Sequence, residues 1–210
     1  MSLTLIIGDK TYSSWSLRAA LVLELAGVAY TEQVIAFNRP DSKARMLQHS
    51  SAGQVPVLHS PDGVIGDSLA IVEYLAECYP QAALWPQARD ARALARSLCA
   101  QMHAGFGALR SHLPMDLKRD QPLPTLAPEV LADIQRICAI WLECRQRFAQ
   151  NGPFLFGAPS IADAYFAPVA SRFRSYQVAL PVEASAYVDT IYQWPAFQRW
   201  YQAAQEEDLP

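Results

Sequence analysis

Gly53-Gln54-Val55-Pro56-Val57-Leu58-His59-Ser60-Pro61-Asp62-Gly63-Val64-Ile65-Gly66-Asp67-Ser68 holds the signals from which the fold is read. Val57 to His59 and Val64 to Ile65 are short β-type runs, and Ser60-Pro61-Asp62-Gly63 between them carries the residues of a tight turn, so the pair reads as a hairpin. A serine then precedes an apolar-periodic stretch, Leu69 to Cys78, with Leu69, Val72 and Leu75 or Ala76 on one side and Pro80 as its stop. Val55-Pro56, just before the hairpin, reads as an extended dipeptide.

Upstream, Leu3 to Gly8 is a β-type run, and Ser16 to Ala26 is helical in period, with Leu17, Leu21 and Leu25 in register and Gly27 as its close. Tyr30 to Ile35 follows as a strand, and a polar, partly helical stretch runs from Asp41 to His49. Strand, helix, strand makes a right-handed crossover unit. The order β-α-β, polar helix, β-β-α is that of a thioredoxin-like domain over residues 1–80.

Beyond Pro80 the pattern changes. A linker at residues 81–88, containing Trp85 and Pro86, leads into Ala/Leu/Arg-rich segments with helical periodicity and no strand pattern, so residues 89–210 read as an all-helical domain. Its helices are expected at Ala88 to His112, Glu129 to Ala149, Ser160 to Ser175 and Pro195 to Ala204, with a proline-rich loop from Pro114 to Pro128. The fold class is α/β followed by all-α.

Composition narrows the function. The 210 residues, 51% hydrophobic and 18% charged, carry a formal charge of -3 without long same-sign runs. Such a chain lacks the basic surface that neutralising phosphates requires, which argues against nucleic acid as a partner. The run Leu3 to Ile7 is too short for a signal peptide, and no stretch reaches the roughly 20 apolar residues of a membrane span, so a cytoplasmic location is expected. Cys78, Cys99, Cys138 and Cys144 have no metal or disulfide spacing and are expected as buried free thiols. His49, His59, His103 and His112 form no ligand pair, and no metal is expected.

Four motifs, in order along nearly the whole chain, resemble the bacterial glutathione transferases. They are Tyr12-Ser13-Ser14-Trp15-Ser16-Leu17-Arg18, Gly53-Gln54-Val55-Pro56-Val57-Leu58, Gly66-Asp67-Ser68-Leu69-Ala70-Ile71 and Ser160-Ile161-Ala162-Asp163. Read by themselves, the serines at 13, 14 and 16 and the Asp67-Ser68 pair are helix caps. The resemblance adds a thiol-handling role. A helix N-terminus with a hydroxyl beside it favours a thiolate: a thiol of pKa about 8.5 is only about 3% ionised at pH 7, and lowering it by two units needs about 2.7 kcal/mol.

Similarity to the serine-type members, notably the zeta class with its Ser-Ser-Cys-Ser motif, implies Ser13 as the catalytic hydroxyl, with Ser14 beside it and Tyr12 as a further donor. Trp15 stands where that class has cysteine. By the same resemblance the Val55-Pro56 bond is cis, Val55 offers its backbone to the cysteinyl part of glutathione, and Asp67 and Ser68 meet the γ-glutamyl ammonium and carboxylate. Gln54 takes the glycyl carboxylate, with Arg39 and Lys43 as sources of positive charge. Ser160 and Asp163 form a capping box and belong to the scaffold. His103, Phe106 and Arg110 share a helical face by their i, i+3, i+7 spacing and, with Trp15, are candidates to line the electrophile pocket; interdomain packing is the competing reading.

The resemblance implies a homodimeric glutathione transferase that conjugates the glutathione thiolate to small hydrophobic electrophiles. A glutathione-dependent isomerase of the maleylacetoacetate type and a non-catalytic binding module of the same fold are the alternatives.

Overall fold

The computed structural model describes residues 3–123, 125–148, 150 and 152–208. Strand β1 (Leu3–Ile7) is central in a four-stranded sheet of order β2-β1-β3-β4. It pairs parallel with β2 (Tyr30–Val34) and antiparallel with β3 (Val57–Ser60), which turns back through the expected hairpin into β4 (Gly63–Gly66). The period of two along β1 divides the core: Leu3, Leu5 and Ile7 join the large cluster, while Ile6 faces a smaller one with Ile35, Val57 and Met46.

Helix α1 (Ser14–Ala26) packs beside α3 (Ser68–Cys78) on the large-cluster side, and short α2 (Ser42–Leu47) supplies Met46 to the other. Gly27 closes α1 in the left-handed conformation, φ 67°, as its position after Leu25-Ala26 leads one to expect. A 3-10 turn (Pro80–Ala82) begins the passage to the helical part.

That part comprises α4 (Arg89–Ala104), α5 (Gly107–His112), α6 (Pro128–Phe148), α7 (Ile161–Ser175), α8 (Val182–Gln193) and α9 (Pro195–Glu206). Helix α7 is its axis, buried along almost its whole length and packed against α1, α4 and α8. Trp141 of α6 sits against Phe166, Phe173 and Tyr187, with ring centroids 4.6–6.0 Å apart. Asp163 anchors the start of α7: its carboxylate accepts from Leu155 N–H, Ser160 N–H, Ser160 Oγ and Tyr187 Oη at 2.9–3.0 Å.

Three expectations are corrected. The single helix from Ala88 to His112 is two, because Gly105 and Gly107 bracket Phe106, which takes φ 55° and ends the helical run. A Cβ at Gly105 would stand 2.8 Å from Gln101 O, so the break requires glycine there. Helix α8 was not expected; its buried residues Ala184, Tyr187, Val188 and Ile191 do follow helical spacing, among β-branched neighbours that weaken the pattern. Only Cys99 and Cys144 are buried; Cys138 is half-buried, and Cys78 is exposed at the last residue of α3. The expected end of α6 at Ala149 lies outside the described residues.

Candidate functional site

A cavity of about 660 Å³ opens where the loop before β3 and the N-terminus of α3 meet the ends of α1 and α4. One wall is backbone. The loop Ala52-Gly53-Gln54-Val55-Pro56 borders the space, and the Val55–Pro56 bond is cis. The sheet ladder starts at Val57, so neither the N–H nor the C=O of Val55 has a backbone partner among the described residues. Such a bare pair of polar groups is an edge to which an extended peptide adds as a strand. Lys43 stiffens the same loop by donating its ammonium to Gly53 O at 2.9 Å and Ala52 O at 3.3 Å.

The second wall is a helix start. Asp67 and Ser68 both border the cavity. Asp67, at φ 73°, accepts from Leu69 N–H at 2.7 Å and so caps α3, while its other oxygen lies 3.4 Å from His103 Nε2. Ser68 is buried, and its hydroxyl is 3.1 Å from Tyr165 Oη on α7. Burial pushes the Tyr165 phenol far above its ordinary range, so it stays a neutral O–H. The positive end of α3 and a fixed hydroxyl together suit a carboxylate, and the exposed Asp67 carboxylate suits an ammonium.

Trp15 and His103 form a third side, their rings 5.1 Å apart. Behind Trp15 lies Arg18, fully buried, with its guanidinium 4.2 Å from the Trp15 ring and 5.2 Å from that of Tyr165. Arg18 Nε donates to Tyr165 O at 3.1 Å, and its two terminal nitrogens have no partner among the described residues. Burial lowers this guanidinium to about 10, which leaves it charged at neutral pH. Arg110 approaches the Trp15 ring at 5.5 Å and donates to His103 O at 3.3 Å.

The sequence candidates are thus divided. Gln54, Val55, Asp67, Ser68, Trp15 and His103 converge on the cavity. Phe106 and Arg110 do not border it: the break at Gly105 removes the shared helical face, turning Phe106 into the core with Arg136 over its ring at 4.9 Å. Ser13 caps α1, accepting from Ser16 N–H at 3.4 Å and donating to Ser16 Oγ at 2.7 Å. Ser14 is the first residue of α1; both serines are buried, and neither borders the cavity, which they adjoin only through Trp15 as chain neighbour. Tyr12 is exposed, and Arg39 is exposed and off the lining.

Phe37, Met46 and Ser50 also line the space, and sequence reasoning did not select them, nor Tyr165 and Arg18 behind it. Tyr165 is 97 positions from Ser68, so no local pattern joins them. Among the described residues no group of three or more His, Cys, Asp or Glu is placed to hold a metal ion, and no helix is long and apolar enough to cross a membrane.

Residues 12–78 match the family model described as Glutathione S-transferase, N-terminal domain, and residues 86–203 match Glutathione S-transferase, C-terminal domain. A maleylpyruvate isomerase from Ralstonia sp is 27% identical over 94% of this chain and 99% of that protein. A probable maleylacetoacetate isomerase from Caenorhabditis elegans is 31% identical over 49% of this chain; the match spans about half of that protein, 47%. In three dimensions the chain is similar to a glutathione transferase homolog from Burkholderia gl BGR1 with bound glutathione, at a TM-score of 0.73 and 22% identity, covering 99% of this chain and 100% of the other.

Proposed function

This chain belongs to the glutathione S-transferase family, and from that premise we propose that it binds glutathione in the cavity beside Val55 and transfers the thiolate to small hydrophobic electrophiles. The observation that carries the reading is the backbone of Val55, without a partner among the described residues and facing the same space as the N-terminus of α3. A tripeptide with an amide-flanked cysteine and a zwitterionic γ-glutamyl end matches both walls. Its cysteinyl amide pairs with Val55, its α-carboxylate lies at Ser68 and the α3 amides, and its ammonium meets Asp67. Gln54, with Lys43 beside it, receives the glycyl carboxylate. The thiol then points toward the start of α1, where Ser13 or Ser14 donates to it and the helix terminus favours its ionised form. Trp15 and His103 form the side on which the electrophile sits, and holding both reactants there converts a bimolecular encounter into a local one.

A second reading, glutathione-dependent isomerisation by adding and then eliminating the thiolate across a double bond, is favoured by the likeness to the Ralstonia isomerase over 94% of the chain. Arg18 and Arg110, flanking Trp15, bring positive charge to that side and suit a substrate bearing a carboxylate. Calorimetry with glutathione, followed by a panel of halogenated aromatics, epoxides, peroxides and maleylacetone-like compounds, separates the readings. Binding with turnover of the halogenated aromatics or epoxides supports transfer, turnover of peroxides alone marks thiol oxidation and counts against it, and turnover of the last class alone supports isomerisation. Binding without any turnover points to a module, and absence of binding rejects the proposal. The working form we propose is a cytoplasmic homodimer, since a two-fold pair is the commonest symmetric assembly; sedimentation at micromolar concentration should give twice the 23.3 kDa chain mass, and a single species at that mass would reject it.

A further inference from the structure

The loop between β1 and α1 carries the serines, yet most of its restraints come from the other end of the chain. All four backbone polar groups of Lys10 and Thr11 bond to the helical part. Lys10 N–H donates to Glu207 Oε1 at 2.9 Å, and Thr11 N–H to Glu207 Oε2 at 3.0 Å. Lys10 O accepts from Trp200 Nε1 at 3.0 Å, and Thr11 O from Leu117 N–H at 3.2 Å. The Thr11 hydroxyl, fully buried, lies 2.9 Å from Glu207 Oε2 and 3.2 Å from Ala204 O, so its one proton serves two acceptors. Lys118 Nζ holds Glu207 in turn by donating to its backbone oxygen at 2.5 Å. An exposed loop of this length would ordinarily give these groups to water.

The turn so held aims the site. Asp9 O accepts from Tyr12 N–H at 3.2 Å and Ser13 N–H at 2.8 Å, which makes residues 9–13 one rigid turn leading into α1. Asp9 Oδ2 accepts from Phe37 N–H at 2.7 Å, tying the turn to a residue that lines the cavity. We propose that Glu207 and Thr11 are positioning residues: a clamp from the segment after α9 that fixes the β1–α1 turn and thereby the direction in which the Ser13-Ser14 hydroxyls meet the glutathione sulfur. The proposal rests on the transferase reading above. A charged acceptor with two backbone donors and a hydroxyl is among the stronger polar contacts a surface loop can make, and misplacement of a reacting pair by a fraction of an ångström is costly in rate.

The test uses the full chain with Thr11→Val, which keeps the side-chain shape and loses the hydroxyl, Thr11→Ser, which restores it, and Glu207→Ala. The bound glutathione thiol is titrated by its ultraviolet thiolate band, and kcat and KM are measured with a halogenated aromatic. Thr11→Val and Glu207→Ala should raise the bound thiol pKa and lower kcat by about three- to tenfold while KM for glutathione changes less than twofold, and Thr11→Ser should recover most of the loss. If both variants only melt at lower temperature, with thiol titration and kcat unmoved, the clamp is structural and the proposal fails alone. If the unaltered chain neither binds glutathione nor ionises its thiol, the transferase reading falls and takes the clamp with it.

Discussion

Ser13 donates its proton to Ser16 Oγ, which also accepts from Gly8 N–H at 3.2 Å. A thiolate at Ser13 must therefore win that proton from a neutral oxygen, an exchange that a charged acceptor favours. Ser13→Ala should raise the bound thiol pKa by about one to two units, since a hydrogen bond to a charged group is worth about 1.5–3 kcal/mol, and should also cost about 1 kcal/mol of stability through the lost cap. An ultraviolet titration beside Ser14→Ala checks it; a shift in the Ser14 variant alone would assign the task to the first residue of α1. Behind the other wall, Tyr165 makes a narrower claim. Tyr165→Phe deletes the partner of the buried Ser68 hydroxyl, so calorimetric affinity for glutathione should drop about three- to tenfold, with kcat near its original value. An unchanged dissociation constant would remove Ser68 from the γ-glutamyl subsite.

Among the elements, α7 carries a buried carboxyl, Asp163, whose titration bears on folding. Burial pushes the Asp163 carboxyl up to about 6, while its donors Leu155, Tyr187 and Ser160 pull it down. An acid raised in the fold binds its proton there to higher pH than in the unfolded chain. Between about pH 4 and 6 the native state thus holds more protons, and the stability from this group falls as pH rises through that window and is flat above it. Asp163→Asn has no such proton, so the stability margin of the unaltered chain over this variant should shrink from pH 4 to 6.5 in urea melts; a margin that grows would contradict the burial account. The start of α7 was legible in sequence because Ser160 and Asp163 lie three apart before an apolar run. The hairpin was legible because Ser60 to Gly63 leaves the chain few other conformations. Helix α8 was not, since Thr190, Tyr192 and Val182 blur a pattern that tertiary packing completes. The break at Phe106 had its signal in Gly105 and Gly107, outweighed by the helical period on either side.

Across the whole molecule, the cavity and the turn that feeds it both depend on contacts between the two halves. Trp15 with His103, Ser68 with Tyr165 and Thr11 with Glu207 each join residues far apart in sequence. The motifs named Trp15 and Ser68, and helical spacing offered His103; Thr11, Tyr165 and Glu207 come from packing that motifs and periodicity alone do not specify. Glutathione laid along Val55 would touch both sides of this junction, which makes its bound pose the most direct check of the account. A crystal structure of the chain with glutathione should show the cysteinyl N–H and C=O paired antiparallel with Val55, the γ-glutamyl group at Asp67 and Ser68, and the sulfur within hydrogen-bond reach of Ser13 or Ser14. Glutathione lying elsewhere, or in the cavity with its sulfur turned away from the start of α1, would contradict it.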